Sequence, residues 1–555
     1  METRTGRVAG ERVRGPSYWG RGETRLIGIE TEYGIYVEGK EAQDLVVEAT
    51  HLVKHCPGPV ATGWDYRAEH PRRDMRGFTV DHLSVDPNDA QFEKPGQPHS
   101  TDAEVRSDRV LPSGARLYND HGHPEYATPE CTRLRELIAH DRAGERVMQA
   151  CAERRMRRTD GGRVSLYKNN TDFHGASYGC HESYLIRRDV PFDDLLTGIL
   201  PFFVTRQIFA GAGKVGVEVA SGVAEPGSTP FQLSQRADFF SVEASVDTLY
   251  NRPIVNTRDE PHADARRYRR FHVICGDANL CEVATLLKVG TTLLTLRLLE
   301  TGWRPSEVLL RNPVEAIKRV SRDQSLRWPV ERMSGGTIGA VEVQRAYLAA
   351  ARERLAGLSD ETDQVLAEWE RVLGRLDADP LGLSDTLDWA AKRALLDAFR
   401  ESEGLGWDDP TLQSLDLEYH NVDPEAGLYL GLEQEDRVRR VVTDEEIARA
   451  VTSPPSGSPR ALVRGLAVAK FAEAVQEVTW SRMTLGDGNG QSVGIRMSAV
   501  QDLDPVRVTE MLTPTATPAE FVAALEALEH DAGTDTLAVD EGDDDAGNGA
   551  GSAEA

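Results

Sequence analysis

The ordered part of the chain opens on RLIGIETEYGIYV, residues 25–37, where Ile, Tyr and Thr alternate with small or polar positions. A period of two among β-branched and aromatic residues predicts a strand. At AQDLVVEATHLVKH (42–55) the apolar positions switch to helical spacing, and LRELIAHDRAGERVMQACAERRMRR (134–158) predicts a long amphipathic helix. Strand patterns return at 164–170, 177–186, 213–220, 231–246 and 271–277. From Glu282 to Phe399 the spacing is mostly helical, and around 441–520 a smaller mixed segment follows polar, Pro- and Gly-containing connections. Strands joined by turns and then a run of helices predict an α+β fold built on a mostly antiparallel sheet. Such a sheet, concave and solvated on one face, is a natural cradle for a ligand.

Three stretches break the pattern. Residues 1–25 hold six Arg and three Glu with no apolar period and predict a mobile arm. Residues 57–112 are polar and Pro-rich, a length that is uncommon inside a compact domain unless it is functional or disordered. Trp64, Tyr66 and Phe78 lie amid its charges, so part of it is expected to dock on the body near a binding site. From 526 to 555 the composition becomes that of a disordered acidic tail.

Composition then narrows the function classes. With 64 Lys+Arg against 90 Asp+Glu, the net charge of −26 argues against nucleic acid as a partner. Nine of the cations are lysine and 55 arginine, a bias that suits carboxylate and phosphate recognition but also follows from genome composition. No apolar run predicts a membrane span or a signal peptide. The six cysteines form no CxxC pair, so they are expected to be buried thiols of a cytoplasmic protein.

The candidate chemistry lies in the strands. Glu30 and Glu32, two apart, project from one face, and paired hard-oxygen ligands suit Mg²⁺; an exposed polar strand face is the plainer alternative. Arg116, Tyr118 and Asp120 alternate in the same way, and Glu125 follows a Pro-containing turn. Arginine grips phosphate, while the carboxylates bind metal or act as bases. Lys168 to Asp172, His181-Glu182-Ser183 and the stretch from Asn256 to Arg270 and His272 are unusually polar for strand-rich segments. Each alone fits a structural hydrogen-bond network; together they line a sheet with carboxylate, imidazole and guanidinium, as a metal–nucleotide site requires. The common glycine-rich phosphate loops are absent.

GIETEYG, GARLYNDHGHPEYATPEC, YKNNTD, SYGCHESYL, SQRADF, VNTRDEPHADARRYRR and GDANL resemble the Pup ligase and Pup deamidase family over about 25–503. The insertion at 57–112, with WDYRAEHPRRDMRGF, resembles the deamidase–depupylase branch rather than the ligase branch. The resemblance implies a glutamine synthetase-like catalytic domain over 26–425 and a small C-terminal domain over 426–525. It implies ATP and Mg²⁺ as cofactors, with Glu30, Tyr118, Glu125, His181 and His272 at the metal. It further implies Asp120 as the catalytic residue, and Arg116, Ala127, Thr128, Ser183, Arg270 and Trp480 at the nucleotide. The implied partners are Pup, a small disordered protein modifier, and pupylated proteins, and through them the bacterial proteasome pathway. The implied activity is hydrolysis of the C-terminal glutamine amide of Pup and of the isopeptide bond joining Pup to substrate lysines. Asp120 serves there as nucleophile or as base, a choice the sequence leaves open. An ATP-dependent Pup–protein ligase and a catalytically silent Pup-binding scaffold are the alternatives.

Overall fold

The strand expected over 25–37 forms as two pieces in different sheets, β1 (Ile27–Glu32) and β2 (Gly34–Val37). Tyr33 between them is fully buried, and a Cβ on Gly34 would meet the Tyr178 hydroxyl at 2.5 Å, so the bend uses the residue that lacks one. This computed structural model describes residues 25–41, 44–67, 69–83, 106–158, 162–173, 175–218, 229–248, 250–486, 490–532 and 537–538. The next strands are β3 (Arg109–Val110), β4 (Arg116–Asp120), β5 (His123–Ala127), β6 (Val164–Tyr167) and β7 (Cys180–Arg187). After them come β8 (Lys214–Val215), β9 (Phe231–Gln232), β10 (Val242–Ser245), β11 (Pro253–Asn256) and β12 (Tyr268–Gly276).

Six of these build one sheet in the order β12-β7-β1-β5-β4-β3, antiparallel at every pairing. β1 buries Ile27, Ile29 and Thr31 and leaves Gly28, Glu30 and Glu32 half-buried on the other face; β7 repeats this with His181, Ser183 and Leu185 on the open side. Helices Phe192–Ala210 and Glu282–Glu300, buried nearly all round, cover the buried face. Phe203, Ile208 and Leu286 there join Ile27, Ile29, Tyr184 and Phe271 in a single core. Each such side chain contributes roughly 1.5–3 kcal/mol by burial. A one-residue slip of β1 would put its whole apolar set in the cradle, so the core fixes which residues face the ligand.

The expected helix at 42–55 is Leu45–Lys54, and the one at 134–158 spans Leu134–Arg158. The strands expected over 213–220 and 231–246 are cut to the short β8, β9 and β10. Polar side chains compete with the ladder there: Ser234 donates to Asp277 at 2.9 Å, and Asp238 accepts from the Glu218 amide at 2.8 Å.

The smaller unit begins near Ser458, not at 426. Tyr429, Leu432, Ile447 and Ala450 belong to the large core. Helix Pro459–Phe471 and the strands and helices C-terminal to it close a separate core around Leu462, Met483, Ile495, Leu512 and Phe521. Helix Pro518–Ala532 buries Leu525 and Leu528 in that core, so the residues just past 525 continue the unit. Most of the expected acidic tail (533–536 and 539–555) and residues 1–24 of the expected arm lie outside the described residues. Arg25, at the arm's end, is buried and paired with Glu300.

Of the insertion, 68 and 84–105 lie outside the described residues, and the rest docks as expected. Ala61, Trp64 and Val110 enter the core of the smaller unit, and the Asp65 and Val478 amides donate to the Val478 and Gly63 carbonyls at 3.0 and 2.7 Å. A Cβ on Gly63 would stand 1.9 Å from the Gln476 carbonyl oxygen. Phe78, in contrast, is exposed. All six cysteines are buried and free. No helix among the described residues is long and apolar enough to cross a membrane.

Candidate active site on the open sheet face

Strand register assembles the site. Glu30 of β1 stands opposite Ala127 of β5 and His181 of β7, and Glu32 stands opposite Glu125. Tyr118 is opposite Glu125, Arg116 opposite Ala127, and His272 of β12 opposite Ser183. Cross-strand partners point to the same face, so residues far apart in the chain converge on one surface.

Two ligand clusters result. One is Glu30, His181 and His272; the other is Glu32, Asp120 and Glu125; within each, the donor atoms lie within 4.8 Å of one another. Glu32 is absent from the metal set that the family motifs imply, and its spacing of two from Glu30 is the sequence signal for it. Both ring nitrogens of His272 are buried without a hydrogen-bond partner, with Nε2 3.7 Å from Glu30. Burial first, and then Arg270, pushes His272 down to about 3, so its imidazole is neutral and ready to donate a lone pair. Burial and the nearby Asp120, Glu32 and Glu30 push the Glu125 carboxyl well above its ordinary range. Orphaned imidazole nitrogens and crowded carboxylates fit divalent cations, the all-oxygen set fitting Mg²⁺ best.

Asp120 ends β4 at a tight turn in which His121 and Gly122 both take positive φ, 47° and 93°. His121 Nδ1 lies 3.2 Å from its carboxylate and Arg106, from the return of the insertion, 3.5 Å. Burial favours the neutral acid, but His121, Arg106 and Arg116 outweigh it and hold Asp120 well below the usual carboxylate range. Asp120 in turn raises His121 to about 9. The pair is thus an ionised carboxylate beside a cation. Nothing in the pattern of 84–106 signals Arg106.

Beside Glu30 opens a pocket on the open sheet face, walled by β1, β5, β7 and the smaller unit. Ala127, Thr128, Ser183, Arg270 and Trp480 all line it, joined by His262 from the polar stretch at 256–272 and by Gly28, Glu130 and Arg460, which no sequence pattern singles out as ligand contacts. Thr128 accepts the Ile29 amide at 3.0 Å, and Arg270 reaches towards Ser183 and Glu30 at 3.4 and 3.5 Å. Arg116 stands apart from this lining. Its guanidinium is stacked between Trp64 (3.9 Å) and Tyr118 (3.8 Å), bonded to Asp108 at 2.7 Å and to the Tyr66 hydroxyl at 2.6 Å. Trp64 also meets Trp480 edge-on, with ring centroids 5.2 Å apart. The insertion therefore reaches both the cavity wall and the carboxylate cluster.

A sequence profile for the Pup-ligase protein family matches residues 25–484. The chain belongs to that family. A depupylase of Acidothermus cellulolyticus is 41% identical over 516 residues, covering 90% of this chain and 99% of the relative. A Pup–protein ligase of Nakamurella multipartita is 43% identical over 416 residues, covering 73% of this chain and 89% of the relative. Among solved structures, the complex of Pup with its ligase PafA superposes with a TM-score of 0.69 at 29% identity, covering 91% of this chain and 95% of that one. PafA in complex with ADP gives 0.64 at 31% identity, covering 84% and 100%. The fold is the glutamine synthetase-like α+β architecture that the motifs implied.

Proposed function

We propose that the chain hydrolyses the C-terminal glutamine amide of Pup and the isopeptide bonds between Pup and substrate lysines, with Mg²⁺–ATP bound as cofactor in the cytoplasm. The observation that carries this is the cluster of Glu32, Asp120 and Glu125 on the open sheet face, next to the pocket lined by Thr128, Ser183, Arg270 and Trp480. The depupylase alignment over nearly the whole of both chains supports the hydrolytic branch, and the shorter ligase alignment supports it further. The ADP and Pup complexes of PafA support the nucleotide and the modifier.

Glu32, Asp120 and Glu125 would hold one cation, and Glu30, His181 and His272 a second, with Tyr118 beside Glu125. A cation bound there supplies Lewis acidity towards an amide carbonyl or a phosphate. Arg270, Ser183 and Thr128 orient the nucleotide, and Trp480 walls its cavity. Asp120 either attacks the amide carbon or takes a proton from the attacking water. In both routes the C–N bond breaks, the amine leaves with a proton, and water supplies the oxygen of the new carboxylate. His121 and Arg106 keep Asp120 anionic for either role.

Purified chain incubated with a pupylated protein, Mg²⁺ and ATP tests the reading. Release of free Pup and unmodified protein without matching ADP is expected. ADP formed in proportion to newly joined Pup would make the chain a ligase, and no turnover at all would leave only a binding scaffold.

A further inference from the structure

Arg460 lies in the first turn of helix Pro459–Phe471, is 2% exposed and lines the nucleotide cavity together with Glu130 and Trp480. Its Nη2 stands 2.9 Å from Glu130 Oε1 and donates to the Trp480 carbonyl oxygen. Glu130 belongs to the cradle, three residues after β5, while Trp480 sits on the turn between strands Val475–Val478 and Arg482–Gly486 of the smaller unit. One guanidinium nitrogen thus joins a cradle carboxylate to the main chain of the residue that walls the cavity. The indole meets Trp64 at 5.2 Å and the Arg464 guanidinium at 4.8 Å, and Arg464 also pairs with Glu130. Those ring contacts set the tilt of the indole; the bond to its carbonyl sets how far the turn stands from the cradle.

We propose that Arg460 is a positioning residue for the nucleotide, holding the Trp480 turn against Glu130 so that the indole forms the cavity wall. The inference rests on the nucleotide reading above and names the side chain that registers the smaller unit on it. Breaking the link frees the turn and deprives the bound nucleotide of an aromatic contact, although Arg460 itself need not touch the ligand.

A double-mutant cycle in ATP affinity tests this, read by titration calorimetry on the full chain with Mg²⁺ and needing no turnover. Arg460→Gln is expected to weaken ATP by about three- to tenfold, the size of a lost aromatic contact, and Trp480→Ala by a similar factor. The double variant should bind within about twofold of Trp480→Ala alone, because both changes remove the same wall. A residue that only stabilises the fold would give losses that multiply, and that result overturns the proposal, as does Arg460→Gln binding ATP within about twofold of wild type. If Arg460→Gln shows no cooperative melting, Arg460→Lys, which keeps the charge on a shorter head, takes its place under the same two criteria. Failure of the wild-type chain to bind ATP is a separate outcome: it ends the nucleotide reading, and the role of Arg460 falls with it.

Discussion

Replacing Glu125 by Gln removes the buried member of a half-buried cluster whose carboxylate oxygens lie within 4.8 Å of one another. Two like charges at that separation repel by on the order of 3 kcal/mol at an effective dielectric near 20. Glu125 faces both Glu32 and Asp120, and in the metal-free protein that repulsion favours its protonated form. Burial first, then Asp120, Glu32 and Glu30, raise its carboxyl well above the ordinary 4.5. A carboxyl raised on folding contributes stability that is complete below its unfolded value and is lost as pH rises through the folded one. A divalent cation must displace the same proton, so Mg²⁺ affinity should climb by up to about tenfold per pH unit across that window and level off above it. Glu125→Gln is nearly isosteric and has no proton to lose. Its metal-free melting temperature should fall less with rising pH than that of wild type. Its Mg²⁺ affinity should be at least about tenfold weaker and flatter in pH, since an anionic oxygen is gone. Calorimetric Mg²⁺ titrations across about pH 5 to 9, paired with melting curves, measure both quantities. Equal affinities and equal pH slopes in the two proteins would refute a cation site at this cluster.

Asp120→Asn should lower Pup deamidation by about two to four decades; a rate within about tenfold of wild type would remove Asp120 from the chemistry. Trp64→Ala should destabilise the protein by about 3–5 kcal/mol, since the ring fills the core of the smaller unit and stacks on Arg116. An unchanged melting temperature would mean that the insertion merely rests on the surface.

Alternation made the site face legible. Glu30 with Glu32, Arg116 with Tyr118 and Asp120, and Arg270 with His272 each share a face through a local period of two, and the sheet keeps all of them there. The cross-strand pairings Glu32–Glu125 and Glu30–His181 are set by packing of the opposite face and could be met only in the fold. The same limit hid Glu130, Arg460 and Arg106, whose partners lie on other elements of the chain. Periodicity misjudged 231–246, where serine, glutamine and aspartate side chains take the hydrogen bonds a strand would use. It also misplaced the start of the smaller unit, because helices Leu428–Gln434 and Asp444–Thr452 look alike in sequence whichever core they cover.

The mass of glutamine-ended Pup after incubation with the purified chain, Mg²⁺ and ATP bears most directly on the hydrolase reading. Exchange of the amide NH₂ for OH should raise it by about one dalton, with no ADP formed in step and no change when Asp120→Asn replaces wild type. Pup of unchanged mass under conditions where the chain binds nucleotide, or Pup gained by a lysine with one ADP per bond, would contradict it.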